Sequence, residues 1–364
     1  TDFVFRLYKQ VALKGADENV FFSPMSISTA LAMLALGAKS TTLSQILEGL
    51  GFEGLAETQV DQMHESFHKI LAALNCTHGN ITLNIGNALF AAIGHELQET
   101  FSQNTKHFYD AELFSENFNE AEEAMKHINK YVEEKTQGKI PDLIGHLDPS
   151  TVLVLVNYIY FKAAWENAFD PSRTYEVDFF VNPNRTVRVN MMQRDGNYNS
   201  YYDEDLSCEV VELPYRGTAR ALLLLPDEGK MKQVEDALSK ETMCKWKNSL
   251  EIRRLNLHLP KISISGSYDV RTLLEEMGIT ELFSCNADLS GISSSSNLQV
   301  SQAVHKALLE IDEAGTKAAG ATALIINRQM RPSETIIFNK TFIVIIHNEV
   351  TDSILFMGKV VDPT

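Results

Sequence analysis

The chain is short of several things. Four cysteines (Cys76, Cys208, Cys244 and Cys285) among 364 residues are too few for a disulfide scaffold at this length. No apolar run reaches the roughly 18 residues of a membrane-spanning helix. The longest, Thr151 to Phe161, reads as a buried strand, so no membrane association is expected. Positive charge is in deficit: 32 Lys and Arg against 48 Asp and Glu leave a net charge of −16. That argues against nucleic acid as the main partner. No Pro-, Gly- or Ser-rich linker occurs beyond the short Ser293–Ser296 tract, and no internal repeat is visible. Residues 1–364 therefore read as one domain. There is no G-x-S-x-G, no Walker A and no glycine-rich dinucleotide fingerprint, and no cofactor is expected. The chain begins at Thr1 inside an apparent helix, without a signal peptide, as a mature or trimmed form would.

What is present suits a globular chain with a large core: 44% hydrophobic and 22% charged residues. One stretch, Val304 to Phe338, departs from the rest. It starts as a strand, with Leu308, Glu310 and Asp312 alternating with Leu309 and Ile311. After Glu313 the side chains shrink: Gly315, Thr316, Ala318, Ala319, Gly320, Ala321, Thr322 and Ala323. So small a set buries little apolar area and predicts a loose segment. Yet no proline occurs before Pro332, and Leu324, Ile325 and Ile326 suit a strand. Successive strand residues face opposite sides. Thr316, Ala318, Gly320 and Thr322 would share one face, with Lys317, the only charge before Arg328, on the other. The first face could enter a packed layer without burying a charge.

His64-Glu65-Ser66-Phe67-His68 fits H-E-x-x-H, which on a helix places two histidines on one face for zinc, with the glutamate as base. A third ligand would have to be Glu96 or Glu99, and neither sits in a recognisable second motif. Phe67, Ile70, Leu71 and Leu74 make an ordinary apolar stripe. A structural helix is expected, with a zinc metallopeptidase as the remote alternative. Lys230, Lys232, Lys245, Lys247, Arg253 and Arg254 form a basic cluster interrupted by Glu235, Asp236, Glu241 and Glu251. It reads as a solvated face, so heparin binding is not expected. Sequons at Asn75, Asn80, Asn184 and Asn339 are glycan-acceptor candidates that mildly favour secretion.

Residues 313–323 resemble the proximal hinge of the serpins. The strings FFSPMSISTALAMLALGA, LVNYIYFKAAWENAF, LPDEGKM, LHLPKISISGSYD, ADLSGI and ILFMGKVVDP extend the resemblance over nearly the whole chain. It lies nearest the plasma antitrypsin, antichymotrypsin and kallistatin branch. The resemblance implies an α+β domain with three β-sheets, eight or nine helices and an exposed reactive-centre loop at about 314–333. It implies a hinge at Glu313, Gly315, Thr316, Ala318, Gly320 and Thr322. It also implies sheet-opening residues at Ser23, Ser26, Asn157, His305 and Trp165, with His305 as the partner of the Asn157 amide.

Function follows from the same resemblance. The chain would be no enzyme but a suicide substrate: a chymotrypsin-like or trypsin-like serine protease cuts the loop, is held as an acyl-enzyme, and is dragged as the loop inserts into the main sheet. A secreted, extracellular monomer is implied. The alternative is a non-inhibitory carrier of a small hydrophobic hormone, like the corticosteroid- and thyroxine-binding globulins. Where the corticosteroid globulin has a steroid-contacting tryptophan, this chain has Asp352. Counting from the hinge with antitrypsin spacing puts Gln329 before the scissile bond, and counting back from Phe338-Asn339-Lys340 gives Met330. Arg331 precedes Pro332, which hinders cleavage, and Arg328 would shorten the inserting strand. Met330 ranks first and Arg328 second. Two departures from the antitrypsin pattern are expected. Thr341 replaces the usual proline, and Glu281 replaces the lysine that pairs with the hinge glutamate, so that ion pair should not form.

Overall fold

The computed structural model describes residues 2–15, 17–75, 81–295, 297–315 and 333–364. Within them lie nine α-helices: α1 (Asp2–Lys14), α2 (Pro24–Ala35), α3 (Ser40–Leu50), α4 (Glu57–Asn75), α5 (Glu99–Tyr109), α6 (Ala121–Lys135), α7 (Met231–Ala237), α8 (Lys240–Ser249) and α9 (Val270–Glu276). The strands are β1 (Val20–Phe22), β2 (Ile81–Ala92), β3 (Glu112–Glu116), β4 (Leu153–Ala163), β5 (Tyr175–Asn182), β6 (Arg185–Asp203), β7 (Cys208–Pro214), β8 (Ala219–Pro226), β9 (Glu251–Pro260), β10 (Ile262–Asp269), β11 (Gln302–Ile311), β12 (Glu334–Ile337), β13 (Phe342–Asn348) and β14 (Ser353–Val360).

Local chemistry accounts for several boundaries. Ser23 caps α2 by accepting from the Ser26 N–H, and Pro24 occupies the first turn, where its missing N–H costs nothing. By its residue pattern the stretch from Lys230 to Leu250 reads as one helix, but it forms two. Leu238 leaves the helical region and Ser239 caps α8 through the Thr242 N–H. The stretch from Leu255 to Ile264 reads as a strand broken at Pro260, and the break is where the chain passes between sheets, leaving β9 in one and β10 in the other.

Hydrogen bonding joins the strands into a five-stranded sheet, β10-β11-β4-β2-β3, and a nine-stranded one. Three sheets were expected. Two of them share the long strand β6, whose first half pairs with β5 and whose last residues pair with β7, while β9 runs along its other edge. The five-stranded sheet is covered on both faces. Leu155, Ile159 and Phe161 of β4 enter the main core beside α2 and the other sheet. Val154, Val156 and Tyr158 enter a second core under α6. Burial on both faces is what the apolar run of β4 demanded.

Candidate functional site: a seam between two parallel strands

At the middle of the five-stranded sheet β11 and β4 run parallel, in register from Gln302↔Val154 to Leu308↔Tyr160. Both outer neighbours, β10 beside β11 and β2 beside β4, are antiparallel. Parallel pairing is the slightly weaker kind per residue; the other parallel pair, β2 with β3, lies at the sheet's edge, so among the internal pairings this seam is the natural place for the sheet to part.

Directly above the seam the chain reverses. The Asp312 N–H donates to the Gly315 carbonyl at 2.9 Å and the Gly315 N–H donates back at 3.2 Å, closing a turn over Glu313-Ala314. On its other side Gly315 forms an antiparallel bridge with Ala164, just past the end of β4. Gly315 has φ +107°, and a Cβ there would lie 2.5 Å from the Ala163 carbonyl oxygen and the Trp165 nitrogen. Only glycine fits. Trp165 braces the turn: its backbone N–H donates to Ala314 O and its indole N–H to Asp312 O, each at 3.0 Å. The indole is buried and stacks on Tyr215, centroids 4.2 Å apart. A strand continuing from Gly315 in this direction would run antiparallel to both β11 and β4.

Glu313 corrects one expectation. It has its lysine: Lys261 Nζ stands 2.9 Å from Glu313 Oε2. Lys261 lies between β9 and β10, and because Ile262 pairs with Ile311, its side chain reaches the turn that follows β11. Glu281 sits elsewhere, against Thr42 and Gln45. Thr174 also donates to Glu313 at 2.8 Å. Burial opposes ionisation of Glu313, but Lys261, its own backbone N–H and Thr174 outweigh that and hold the carboxyl below its usual range.

Lower on the seam the strands are joined by side chains. His305 and Asn157 are register partners, as are Asn157 and Asn87. The Ser23 N–H donates to His305 Nε2 at 3.0 Å, so the proton is on Nδ1, which meets Asn157 Oδ1 at 2.5 Å. Ser26 Oγ donates to the same oxygen at 2.9 Å. The Asn157 amide donates to Asn87 Oδ1 at 2.6 Å and to Ser26 O at 3.1 Å. Three strands and the N-terminus of α2 thus share one buried, satisfied network. Parting β11 from β4 breaks the His305–Asn157 bond, and a buried polar group left unpaired costs about 1–3 kcal/mol.

Burial pushes the His305 pKa down to about 3 from an ordinary 6.5. The folded state therefore binds fewer protons than the unfolded one between those values. Stability from this group is full above pH 6.5 and falls as pH drops toward 3, by roughly 1.4 kcal/mol per unit. His64 and His347, lowered to about 4, act in the same direction. Urea unfolding of His305→Gln at pH 7.5, 6 and 5 should show a shallower decline than the parent, by about one proton per molecule. Parallel slopes would contradict the assignment.

Comparison with known proteins covers the whole chain. The family model described as "Serpin (serine protease inhibitor)" matches residues 1–363. The chain belongs to the serpin family. It is 47% identical over 364 residues to the human plasma serine protease inhibitor, covering 100% of this chain and 89% of that protein. It is 46% identical to alpha-1-antichymotrypsin of Pongo abelii, with 100% and 86% covered. A crystal structure of human thyroxine-binding globulin complexed with its hormone superposes with a TM-score of 0.94, at 40% identity, covering 100% and 97%.

Within this serpin the seam gathers Ser23, Ser26, Asn157, His305, Trp165, Glu313 and Gly315. Thr316, Ala318, Gly320 and Thr322 lie outside the described residues, as do Arg328, Gln329, Met330 and Arg331. Sequence reasoning missed Lys261, Thr174 and Asn87. Only Asn87 had a local signal, a polar residue inside the alternating strand Ile81 to Phe90.

The H-E-x-x-H match builds no site. His64 is buried with Nδ1 2.5 Å from the Tyr109 hydroxyl, and His68 stacks on His107. Among the described residues no three His, Cys, Asp or Glu side chains gather as metal ligands. Most of the basic cluster is neutralised in pairs: Lys232 with Asp236, Lys245 with Asp203 and Asp205, Lys247 with Asp352, Arg253 with Glu209 and Glu334, Arg254 with Asp195. Of the sequons, Asn184 is exposed in the turn between β5 and β6 and Asn339 is half-buried, its carbonyl accepting from the Phe180 N–H. Asn75 ends α4, and Asn80 lies outside the described residues. Cys208, Cys244 and Cys285 are free thiols, and Cys76 is also outside. No described helix is long and apolar enough to cross a membrane.

Proposed function

We propose that this serpin inhibits a serine protease as a suicide substrate. The observation that carries the reading is Gly315, already turned back from β11 and bracketed by Asp312 and Ala164 at the head of the parallel seam. The target attacks the loop and forms an acyl-enzyme. The severed segment from Thr316 onward then enters between β11 and β4, exchanging one parallel pairing for two antiparallel ones. At ~3.3 Å per residue a dozen residues carry the protease ~40 Å, and trapping succeeds if this outruns deacylation. The chain supplies no catalytic residue.

The relatives' plasma origin supports an extracellular protein, the exposed Asn184 supports glycosylation, and the paired basic cluster argues against heparin. We take it as a monomer of one domain. A hormone-carrier reading draws on the likeness to the thyroxine-binding globulin. At the hairpin, however, Asp352 and Lys247 pair at 2.7 Å, as do Arg220 and Glu349. With His347 they line a cavity of about 360 Å³, a polar wall for an apolar hormone.

The test is incubation with trypsin, chymotrypsin and elastase, followed by SDS gels. A protease-sized shift that survives SDS is expected with a chymotrypsin-like or elastase-like enzyme. Its absence with every enzyme, alongside loop cleavage, would overturn the inhibitory reading. Mass spectrometry of the released C-terminal peptide locates the bond. A peptide beginning at Arg331 supports cleavage after Met330 and an apolar-pocket target. One beginning at Gln329 means cleavage after Arg328 by a trypsin-like target and refutes the first choice.

A further inference from the structure

The seam is covered from one side by α6 and the segment that follows it. Ile128 and Val132 of α6, with Ile140, Leu143, Ile144 and Leu147 beyond, are buried in the second core. Asn129 ties this segment to α6: its Oδ1 accepts from the Leu143 and Ile144 N–H groups, and its amide donates to Ile144 O. The sheet's side of that core is unevenly shared. Ala88 and Phe90 come from β2, and Val154, Val156 and Tyr158 from β4, but only Val304 from β11. The cover is therefore anchored by apolar contact to β2 and β4. When the seam parts it stays with them.

Among the described residues, polar bonds cross from the cover to β11. Lys139 Nζ contacts both carboxylate oxygens of Glu310, at 3.1 and 3.0 Å, and Lys306 Nζ donates to Asp142 O at 2.8 Å. Lys306 and Glu310 share strand parity, on the face opposite the buried His305, so both point at the cover. Lys139 and Glu310 are each only about one-third exposed, at 33% and 34%, so water screens this pair less than the Lys126–Glu123 pair on the outer face of α6, at 66% and 69%.

We propose that the Lys139–Glu310 pair is a strap across the seam that sets the rate at which a strand can enter. It fastens the cover to β11, the strand that must move away from β4. It contributes to the closed state and must be broken before residues beyond Gly315 can pair. Lys139 and Glu310 are positioning residues, and their bearing on protease trapping rests on the inhibitory reading above.

The test uses the intact chain and a synthetic peptide of Thr316–Arg328, so it needs no protease. Annealing is followed by the shift in thermal midpoint and by native gels. Lys139→Met and Glu310→Gln should each accept the peptide about fivefold faster, as expected for loss of a pair worth about 1 kcal/mol. Lys126→Met should match the parent, and the exchanged pair K139E/E310K should return the rate toward it. An unchanged rate in K139M, even with a lowered thermal midpoint, would reduce the pair to a structural role and overturn the proposal. So would an exchanged variant that stays fast. Annealing in no variant would overturn it too, because the seam then does not open. Failure of the inhibitory reading looks different: strap variants anneal faster, yet no protease forms an SDS-stable complex.

Discussion

Cutting the chain within residues 324–331 with a protease that is not its target should raise the thermal midpoint by more than about 10 °C. Among the described residues the intact sheet has five strands, and of its two parallel pairings the internal one, between β11 and β4, is the seam. Cleavage frees the segment beyond Gly315 to enter as a sixth strand, antiparallel to both. The small face of Thr316, Ala318, Gly320 and Thr322 can be covered without burying a charge. An insertion worth on the order of 10 kcal/mol shifts the midpoint of a chain this long by about 1–2 °C per kcal/mol. Differential scanning calorimetry before and after verified cleavage gives the answer. Unchanged melting would count against an insertable loop.

Replacing Thr316 or Ala318 by Arg should turn the inhibitor into a substrate. Gly315 fixes the point at which the chain turns back, and strand parity from there puts residues 316 and 318 on one face and 317 on the other. By the charge argument the 316 face is the one covered on insertion. An unpaired buried cation costs several kcal/mol, enough to slow insertion by orders of magnitude, so deacylation wins. The expected readout is cleaved protein with little SDS-stable complex for Thr316→Arg and Ala318→Arg. Lys317→Glu should behave as the parent. Equal loss in all three would sink the parity assignment.

Much of this architecture is legible in the chain itself. A strand apolar on both faces, Val152 to Phe161, has to lie in the middle of a doubly covered sheet. Asn157 inside it has to find buried partners, and it does. Ser23-Pro24 marks the start of α2 without help from the fold. Gly315 belongs to the run of small residues after Glu313, but nothing in that run announces the turn that Asp312 and Gly315 close. What could not be read depends on strands far apart in sequence. Lys261 becomes the partner of Glu313 only because β10 pairs with β11 in one register. Lys139 meets Glu310 only because the segment after α6 folds back over the sheet. The break at Leu238-Ser239 was hidden because the Lys and Glu pattern around it suits one helix as well as two. The long strand β6, which merges two expected sheets, has no signature separating its two halves.

The most direct test is the structure of the chain after cleavage within 324–331. Residues from Thr316 onward should then lie between β11 and β4, antiparallel to both, with Asn157 no longer bonded to His305. A cleaved chain in which His305 and Asn157 remain register partners, with the severed segment outside the sheet, would contradict it.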